Sequence, residues 1–138
     1  ALTETFAPLV QVLGPAAATP PTIVVNQPYG PLRFLGYDWQ PDTAGVQVTL
    51  HWQVQERIPA DYTTTVQLFD TNGEKVAQND APAGGVYYPT ALWKPGEILV
   101  EEHQLTITDK TPAALLVGMY TGADFHELAP ALEIPLQD

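Results

Sequence analysis

The stretch Val46–Gln55 reads Val-Gln-Val-Thr-Leu-His-Trp-Gln-Val-Gln and decides the fold of this chain. Every even position holds an apolar residue, and every odd position holds Gln, Thr or His. Because successive side chains of a strand point to opposite faces of a sheet, this period of two predicts a strand with one buried face and one polar face. Such strands are typical of antiparallel sheets that pack one face against a core and expose the other face to solvent.

From Thr22 onward, short apolar runs alternate with turn residues, as in antiparallel sandwiches. Asp70-Thr71-Asn72-Gly73 tolerates positive φ and predicts a hairpin. We therefore expect an all-β fold, an antiparallel two-sheet β-sandwich of about eight strands with little helix, immunoglobulin-like or jelly-roll in topology. Besides 46–55, the predicted strands are 22–26, 32–39, 62–68, 74–78, 98–107, 113–121 and 132–136.

Two segments depart from simple alternation. The apolar positions of 98–107 change from even to odd between Val100 and Leu105, which predicts a β-bulge near 101–104. The segment 126–129 is a candidate for one helical turn, since Pro130 would end it.

The first 21 residues differ in composition from the remainder. Gly14–Pro21 combines small residues with three prolines and predicts a semi-stiff linker. In residues 1–13 the apolar side chains permit a short amphipathic turn or an edge strand, but Pro8 interrupts a helix, and we expect this piece to be irregular. We expect an N-terminal extension and linker over 1–21 and the sandwich over 22–138. The start at Ala1 and the absence of a basic head indicate a mature or excised piece of a longer protein.

Charge and missing residue types exclude several functions. Among 138 residues, 16 Asp and Glu face 5 Lys and Arg, giving a net charge of −11. Nucleic acid is therefore not an expected partner, because phosphate binding needs a basic patch. The chain has neither Cys nor Ser, which excludes those nucleophiles and thiolate metal sites. It also lacks an apolar run long enough to insert into a membrane.

The long loop predicted over 81–96 carries three aromatic residues, Tyr87, Tyr88 and Trp93. Aromatic rings stack on the apolar faces of sugars, so this loop is a candidate carbohydrate-binding site. The alternative is that the rings fold over a sheet edge and bury their area, with Tyr88 and Trp93 as anchors and Tyr87 exposed.

The outward face of the central strand is a second candidate. It is uncharged, and the probable neighbouring strand would extend it; either it is simply solvated, or it contacts sugar hydroxyls or a protein. Its residues are Gln47, Thr49, His51, Gln53 and Gln55 on the central strand, with Thr63, Thr65 and Gln67 on the probable neighbour.

Metal binding and catalysis have weaker support. Glu101 and His103 project from the same side of one strand, and Asp70 with Asn72 resembles the opening of a calcium loop, but neither spacing is specific. Glu101 and its neighbour Glu102 point to opposite faces, so they cannot flank one bond. We expect no metal, no cofactor and no enzyme activity; a small glycan-processing enzyme is the remaining catalytic alternative.

Four segments together carry a resemblance to a known class of domain. They are Leu35–Asp38 (LGYD), Val48–Trp52 (VTLHW), Tyr88–Glu97 (YPTALWKPGE) and Val117–Tyr120 (VGMY). Over about residues 22–122, the chain resembles the extracytoplasmic β-sandwich domain of unknown function that follows the membrane part of bacterial mannosyltransferase-type glycosyltransferases. The resemblance implies a place outside the cytoplasm and a noncatalytic task, and it carries no functional residues with it.

These observations lead to one expectation and one alternative. The chain is expected to be a noncatalytic accessory β-sandwich module of a larger envelope protein that mediates interaction with a protein or a glycan. The alternative is a carbohydrate-binding module that uses the aromatic loop.

Overall fold

The computed structural model describes residues 10–13, 18–107, 109–122 and 126–136. These residues form ten strands, and a single 3₁₀ turn at Thr90–Leu92 is the helical structure among them. The strands are β1 (Val10–Leu13), β2 (Ile23–Tyr29), β3 (Leu32–Pro41), β4 (Gly45–Val54), β5 (Thr63–Phe69), β6 (Lys75–Pro82), β7 (Ile98–Thr106), β8 (Ala114–Thr121), β9 (His126–Glu127) and β10 (Leu132–Pro135).

The strands build two antiparallel sheets. The first sheet has the order β1-β7-β4-β3-β2, and the second has the order β10-β8-β5-β6, with β9 pairing β8 beyond β10. The chain changes sheet after β4, after β6 and after β7, so consecutive strands lie on both sides of one core. The predicted all-β sandwich is confirmed, and each of the eight predicted strands is present.

The core lies between the two sheets and is centred on Trp52. All five even positions of β4 are at most 1% exposed, as its alternation predicts. Trp52 contacts the rings of Tyr29 and Phe34, with centroid distances of 5.5 Å and 4.9 Å. Apolar side chains of β5 and β8 meet this layer from the second sheet, namely Val66, Leu68, Leu115, Val117 and Met119.

Three local expectations are wrong, namely the irregular structure of residues 10–13, the helical turn near 126–129 and the bulge in the strand predicted over 98–107. Val10–Leu13 is not irregular, since it forms β1 and pairs with β7, so part of the predicted extension belongs to the first sheet. His126–Glu127 forms a short strand against β8 in place of a helical turn. The predicted linker falls partly outside the described residues, at 14–17.

The third correction concerns β7. It pairs with β4 in unbroken register from Ile98 to Thr106, without the predicted bulge. Its core-facing residues occupy odd positions throughout, so that face carries Glu101 and His103 between Leu99 and Leu105. The change in apolar phase therefore reflects a polar pair inside the sandwich, and the strand itself stays regular.

No helix in the described part of the chain has the length and apolar character needed to cross a membrane.

Candidate functional site

The outer face of the second sheet carries a shallow concavity whose position follows from strand register. Thr65 on β5 lies opposite Asp80 on β6 and opposite Gly118 on β8. Because side chains alternate along each strand, these positions share the outward face. Gly118 contributes no side chain there and is itself buried, since a Cβ at its position would lie 3.2 Å from Ala131 Cβ and 3.3 Å from the Tyr29 hydroxyl oxygen.

Side-chain hydrogen bonds fix the polar part of this concavity. The Tyr120 hydroxyl donates to Asp80 Oδ2 at 2.7 Å, and the Thr65 hydroxyl donates to Asp80 Oδ1 at 2.7 Å. Gln78 Nε2 also donates to Asp80 Oδ1, at 2.8 Å, and Gln67 Nε2 donates to Thr65 Oγ1 at 3.1 Å. Asp80 thus organises side chains from three strands around one carboxylate.

These bonds set the ionisation of the two central groups. Partial burial acts to raise the pKa of Asp80, but the donors Gln78, Tyr120 and Thr65 outweigh it and hold that pKa below its ordinary value. The hydrogen bond to Asp80, with partial burial, raises the pKa of Tyr120 to about 12. At neutral pH the site therefore presents a carboxylate and a neutral phenol.

We call the concavity bounded by Thr65, Gln67, Asp80, Leu116, Gly118 and Tyr120 the Tyr120 groove. It is open to solvent, has a volume of about 370 Å³, and reaches Glu127 and Ala131 on the far side of β8. Two carboxylates line it, and no Lys, Arg or His of the described chain does. A second depression, of about 340 Å³ on the first sheet, is lined mainly by apolar side chains around Pro20, Val24 and Leu35.

The structure divides the predicted polar face between two surfaces. Gln47, Thr49 and Gln53 are partly exposed on the outer face of β4, in the first sheet. Thr63 and Thr65 lie on β5, in the second sheet, on the opposite side of the molecule. The expectation that β5 neighbours β4 is wrong, because the connection between them crosses from one sheet to the other. Only the β5 part of the predicted face contributes to the Tyr120 groove.

His51 also differs from its expected place on an open face, since it is 4% exposed. Its Nε2 lies 2.7 Å from Asp38 Oδ2, and Asp38 Oδ1 accepts a hydrogen bond of 2.6 Å from the Thr22 backbone N–H. Burial acts to raise the pKa of Asp38, but the bonds from Thr22 and His51 hold it below its ordinary value. Pro21, which is buried, lies against Gly36 beside them, so this cluster fixes the start of β2 on the sheet.

The three predicted aromatic residues of the loop 83–97 do not form one surface. Trp93 is fully buried in the core, and its indole N–H donates to the Tyr88 carbonyl at 2.8 Å. Tyr88 is half-buried and donates its hydroxyl to Glu97. Tyr87 is 87% exposed. A sugar-stacking platform of all three rings is therefore not formed, because Trp93 offers no face to solvent.

Glu101 and His103 lie in the core, each 1% exposed, with Glu101 Oε1 at 3.3 Å from His103 Nε2. Glu101 Oε2 accepts hydrogen bonds from the Gly84 backbone N–H at 2.9 Å and from Thr64 at 3.3 Å. His103 Nδ1 lies 2.7 Å from Asn79 Oδ1. The pair joins β7 to β5, to β6 and to the loop 83–97, and its burial leaves no path for a substrate.

The other metal candidate is accounted for by turn geometry. Asp70 Oδ1 accepts hydrogen bonds from the backbone N–H groups of Asn72 and Glu74, both at 2.9 Å, which closes the β5–β6 hairpin. Nowhere in the described ranges do three His, Asp or Glu side chains come together as a metal site.

Sequence reasoning placed Thr65 and Gln67 on a candidate polar face but did not include Asp80, Tyr120 or Gln78 among the site residues. A signal for part of the groove was present, since Leu116, Gly118 and Tyr120 alternate on the outer face of the strand predicted over 113–121. A glycine between two large residues on one sheet face marks a depression. What joins them to Asp80 is the strand order, which the sequence does not encode locally.

The chain matches no protein-family model, no curated protein and no solved structure at a significant level.

Proposed function

We propose that this chain is a noncatalytic β-sandwich accessory module of a larger envelope protein, and that it contacts a glycan through the Tyr120 groove. The observation that carries the proposal is the Asp80 network, which holds the exposed Gln78, the partly exposed Tyr120 and the largely buried Thr65 in fixed positions. Binding sites generally combine a concave surface with a few preorganised polar groups. An ordinary solvated sheet face has no need of such ordering.

The ionisation of the groove supports binding over catalysis. Glycoside hydrolysis needs one carboxylic acid with a raised pKa to protonate the leaving group. Asp80 has the opposite tendency, since its pKa is held below the ordinary value by three side-chain donors. The other carboxylate of the groove, Glu127, belongs to an exposed two-residue strand.

Strand order supports an immunoglobulin-like form of the sandwich. In immunoglobulin domains, strands A, B and E share one sheet, and strands C, F and G share the other. Here β3, β4 and β7 occupy the places of A, B and E, and β5, β8 and β10 occupy the places of C, F and G, with β6 beside C.

Placement in the cell envelope rests on the sequence resemblance, which spans about residues 22–122.

Two assays on the same polysaccharides test this proposal: retardation of the protein in a gel that contains the polymer, and release of reducing ends from the polymer. In affinity gel electrophoresis, the chain is expected to be retarded by at least one neutral polysaccharide among mannan, glucan and galactan. Incubation with the same polymer should release no reducing ends above the blank. Thr65→Ala removes one hydrogen-bond donor to Asp80 and should weaken the retardation. Thr106 is exposed at the end of β7, so Thr106→Ala should not change it. Release of reducing ends by the wild type, or absence of retardation by any polymer, would contradict the proposal.

A second candidate is contact with a protein through the loop 83–97. Four large apolar side chains of the described residues are well exposed, and Val86, Tyr87 and Leu92 lie in this one loop at 73%, 87% and 50% exposure. Exposed apolar clusters mark interaction surfaces more often than single exposed residues do. A retardation that depends on Tyr87 and not on Thr65 would favour this surface.

A further inference from the structure

We propose that Asn72 is a site of spontaneous covalent modification, at which the peptide nitrogen of Gly73 attacks the side-chain amide and the asparagine becomes a mixture of aspartate and isoaspartate. This inference does not depend on glycan binding, since it concerns the tip of the β5–β6 hairpin. It is built from the exposure of the dipeptide, the surroundings of the Asn72 side chain and the hydrogen bonds that close the turn.

Asn72 and Gly73 lie at an open surface. Both residues are exposed in the turn between β5 and β6. Gly73 has a φ of +80°, and a Cβ built on it would meet nothing within 4 Å. Because glycine carries no side chain, nothing shields its peptide nitrogen from the side-chain carbon of Asn72. The two reacting groups are adjacent in sequence, and both are accessible to water.

The side chain of Asn72 differs from those of the other two asparagines of the chain. Asn79 Oδ1 lies 2.7 Å from His103 Nδ1, and Asn26 Oδ1 accepts a hydrogen bond of 3.2 Å from Arg33. The Asn72 side chain makes no hydrogen bond with the residues that the structure describes. Neither of the other two is followed by glycine. Asn72 is therefore the asparagine whose side chain can turn toward the next peptide nitrogen.

The reaction consumes water and needs no cofactor; asparagine is a thermolabile residue for this reason. The Gly73 nitrogen gives its proton to solvent base and forms a bond to Asn72 Cγ. The Cγ–Nδ2 bond then breaks, and the leaving group takes a proton from solvent and departs as ammonia. Water opens the resulting succinimide at Cγ, which gives aspartate, or at the backbone carbonyl carbon of Asn72, which gives isoaspartate. One water is consumed and one ammonia is released, without oxidation or reduction.

Hydrogen bonds to Asp70 hold the turn in an unreactive form. The Gly73 N–H donates to the Asp70 carbonyl at 3.0 Å, so its proton is held. Asp70 Oδ1 accepts hydrogen bonds from the backbone N–H groups of Asn72 and Glu74, both at 2.9 Å. The Gly73 nitrogen attacks only after its own bond opens, and the two bonds to the Asp70 side chain restrain that opening. Asp70 therefore limits the rate of modification at Asn72.

Modification changes the hairpin in two ways. Isoaspartate carries the main chain through its side-chain carbons, which lengthens the turn between β5 and β6. Either product adds a negative charge close in sequence to Asp70 and Glu74, in a chain whose net charge is already −11. The modified chain should therefore be less stable than the unmodified chain.

Peptide mapping by mass spectrometry, after incubation of the whole chain at mildly alkaline pH, tests the inference. Trypsin cleaves after Arg57 and Lys75 and so separates Asn72 from Asn26 and Asn79. The peptide that contains Asn72 should gain the mass difference between an amide and a carboxylic acid and should separate into two isomers. The peptides that contain the other two asparagines should keep their mass. Asn72→Gln should release no ammonia above the blank.

A pair of turn variants tests the role of Asp70. Asp70→Ala removes two hydrogen bonds from the hairpin and should speed the modification by at least about threefold. Asp42→Ala is the matched control, since Asp42 Oδ1 accepts hydrogen bonds from the backbone N–H groups of Ala44 and Gly45, at 3.0 Å and 2.8 Å, in the β3–β4 turn. This control should change the rate at Asn72 by less than about twofold.

Rates for the wild type, folded and in urea, test the inference if Asp70→Ala does not fold. The unfolded chain should react faster, because no turn then holds the Gly73 N–H. An unmodified Asn72 in the folded chain, after the unfolded chain has been largely converted, would overturn the inference. Modification of Asn26 or Asn79 as fast as that of Asn72 would also overturn it. Equal rates in Asp70→Ala and Asp42→Ala would overturn the role given to Asp70.

Discussion

Glu101 and His103 form a polar pair inside the sandwich, with Glu101 Oε1 at 3.3 Å from His103 Nε2 and each side chain 1% exposed. They are two residues apart on β7, where alternation places both on the core face. Glu101 also accepts the Gly84 backbone N–H and the Thr64 hydroxyl. The pair therefore takes the place of apolar packing where β7 meets β5 and the start of the loop 83–97.

Removing Glu101 should destabilise the protein strongly. Glu101→Ala leaves the Gly84 N–H buried without an acceptor and removes the partner of His103 Nε2, and breaking a buried pair costs about 3–5 kcal/mol. Urea unfolding measures this loss. Glu102→Ala, the adjacent acid on the partly exposed outer face of β7, is the matched control and should cost less than about 1 kcal/mol. Equal losses for the two substitutions would show that the pair is not buried as described.

The loop 83–97 should owe its stability to one aromatic residue. Trp93 is 0% exposed and Tyr87 is 87% exposed. Trp93→Ala should therefore lower the free energy of unfolding by about 3–5 kcal/mol, since it empties a large core site. Tyr87→Ala should change it by less than about 0.5 kcal/mol. Thermal or chemical unfolding monitored by circular dichroism compares them, and a large loss for Tyr87 would contradict its exposed position.

Gly84 and Gly73 offer a test of close packing, because both have positive φ, +78° and +80°. A Cβ at Gly73 would meet nothing within 4 Å, whereas one at Gly84 would lie 2.1 Å from the Tyr88 carbonyl oxygen. Gly73→Ala should cost only backbone strain, about 1–2 kcal/mol. Gly84→Ala adds a clash with the segment that holds Trp93 and should cost about 3 kcal/mol or more. Equal unfolding midpoints for the two variants would contradict the packing of this loop.

The Tyr120–Asp80 bond should be visible in the titration of the tyrosines. The pKa of Tyr120 is raised from 10.0 to about 12, mainly by its hydrogen bond to Asp80. Because the folded-state pKa exceeds the unfolded one, the bond's contribution to stability is complete below pH 10 and is lost as the pH rises toward 12. In Asp80→Asn, ultraviolet absorbance should show one tyrosine fewer titrating near pH 12, and the pKa of Tyr120 should fall toward its ordinary value.

Tyr88 supplies the internal control for that titration. Burial, followed by its bond to Glu97, raises its pKa to about 12 as well, and Asp80 does not contribute to that rise. Asp80→Asn should leave Tyr88 unchanged, whereas Glu97→Gln should lower the pKa of Tyr88 and not that of Tyr120. An Asp80→Asn titration identical to that of the wild type would contradict the hydrogen bond.

Much of the fold could be predicted from the sequence because its strands alternate clearly. In β4 the apolar set ending at Val54 supplies one wall of the core, so a period of two is enough to find it. In β7 the same rule misled, since Glu101 and His103 occupy core positions and polar residues are normally assigned outward. The pair became buried because Asn79, Thr64 and Gly84, which are distant in sequence, supply its partners.

The candidate site was harder to predict, for a reason of topology. Whether β5 follows β4 in the same sheet or crosses to the other depends on how the whole core packs, and the short connection between them permits both. The groove joins Asp80 on β6 to Tyr120 on β8, 40 residues apart, through a strand that neither precedes nor follows β8 directly. The local sequence pattern of each strand does not predict which strands lie beside it.

Chemical-shift mapping on the ¹⁵N-labelled chain, titrated with a neutral oligosaccharide that binds, tests the central claim most directly. The account predicts that the amide signals of Thr65, Gly118 and Tyr120 move together and saturate with one dissociation constant, while those of the loop 83–97 stay in place. Shifts confined to that loop or to the outer face of β4, with the Tyr120 groove unchanged, would contradict it.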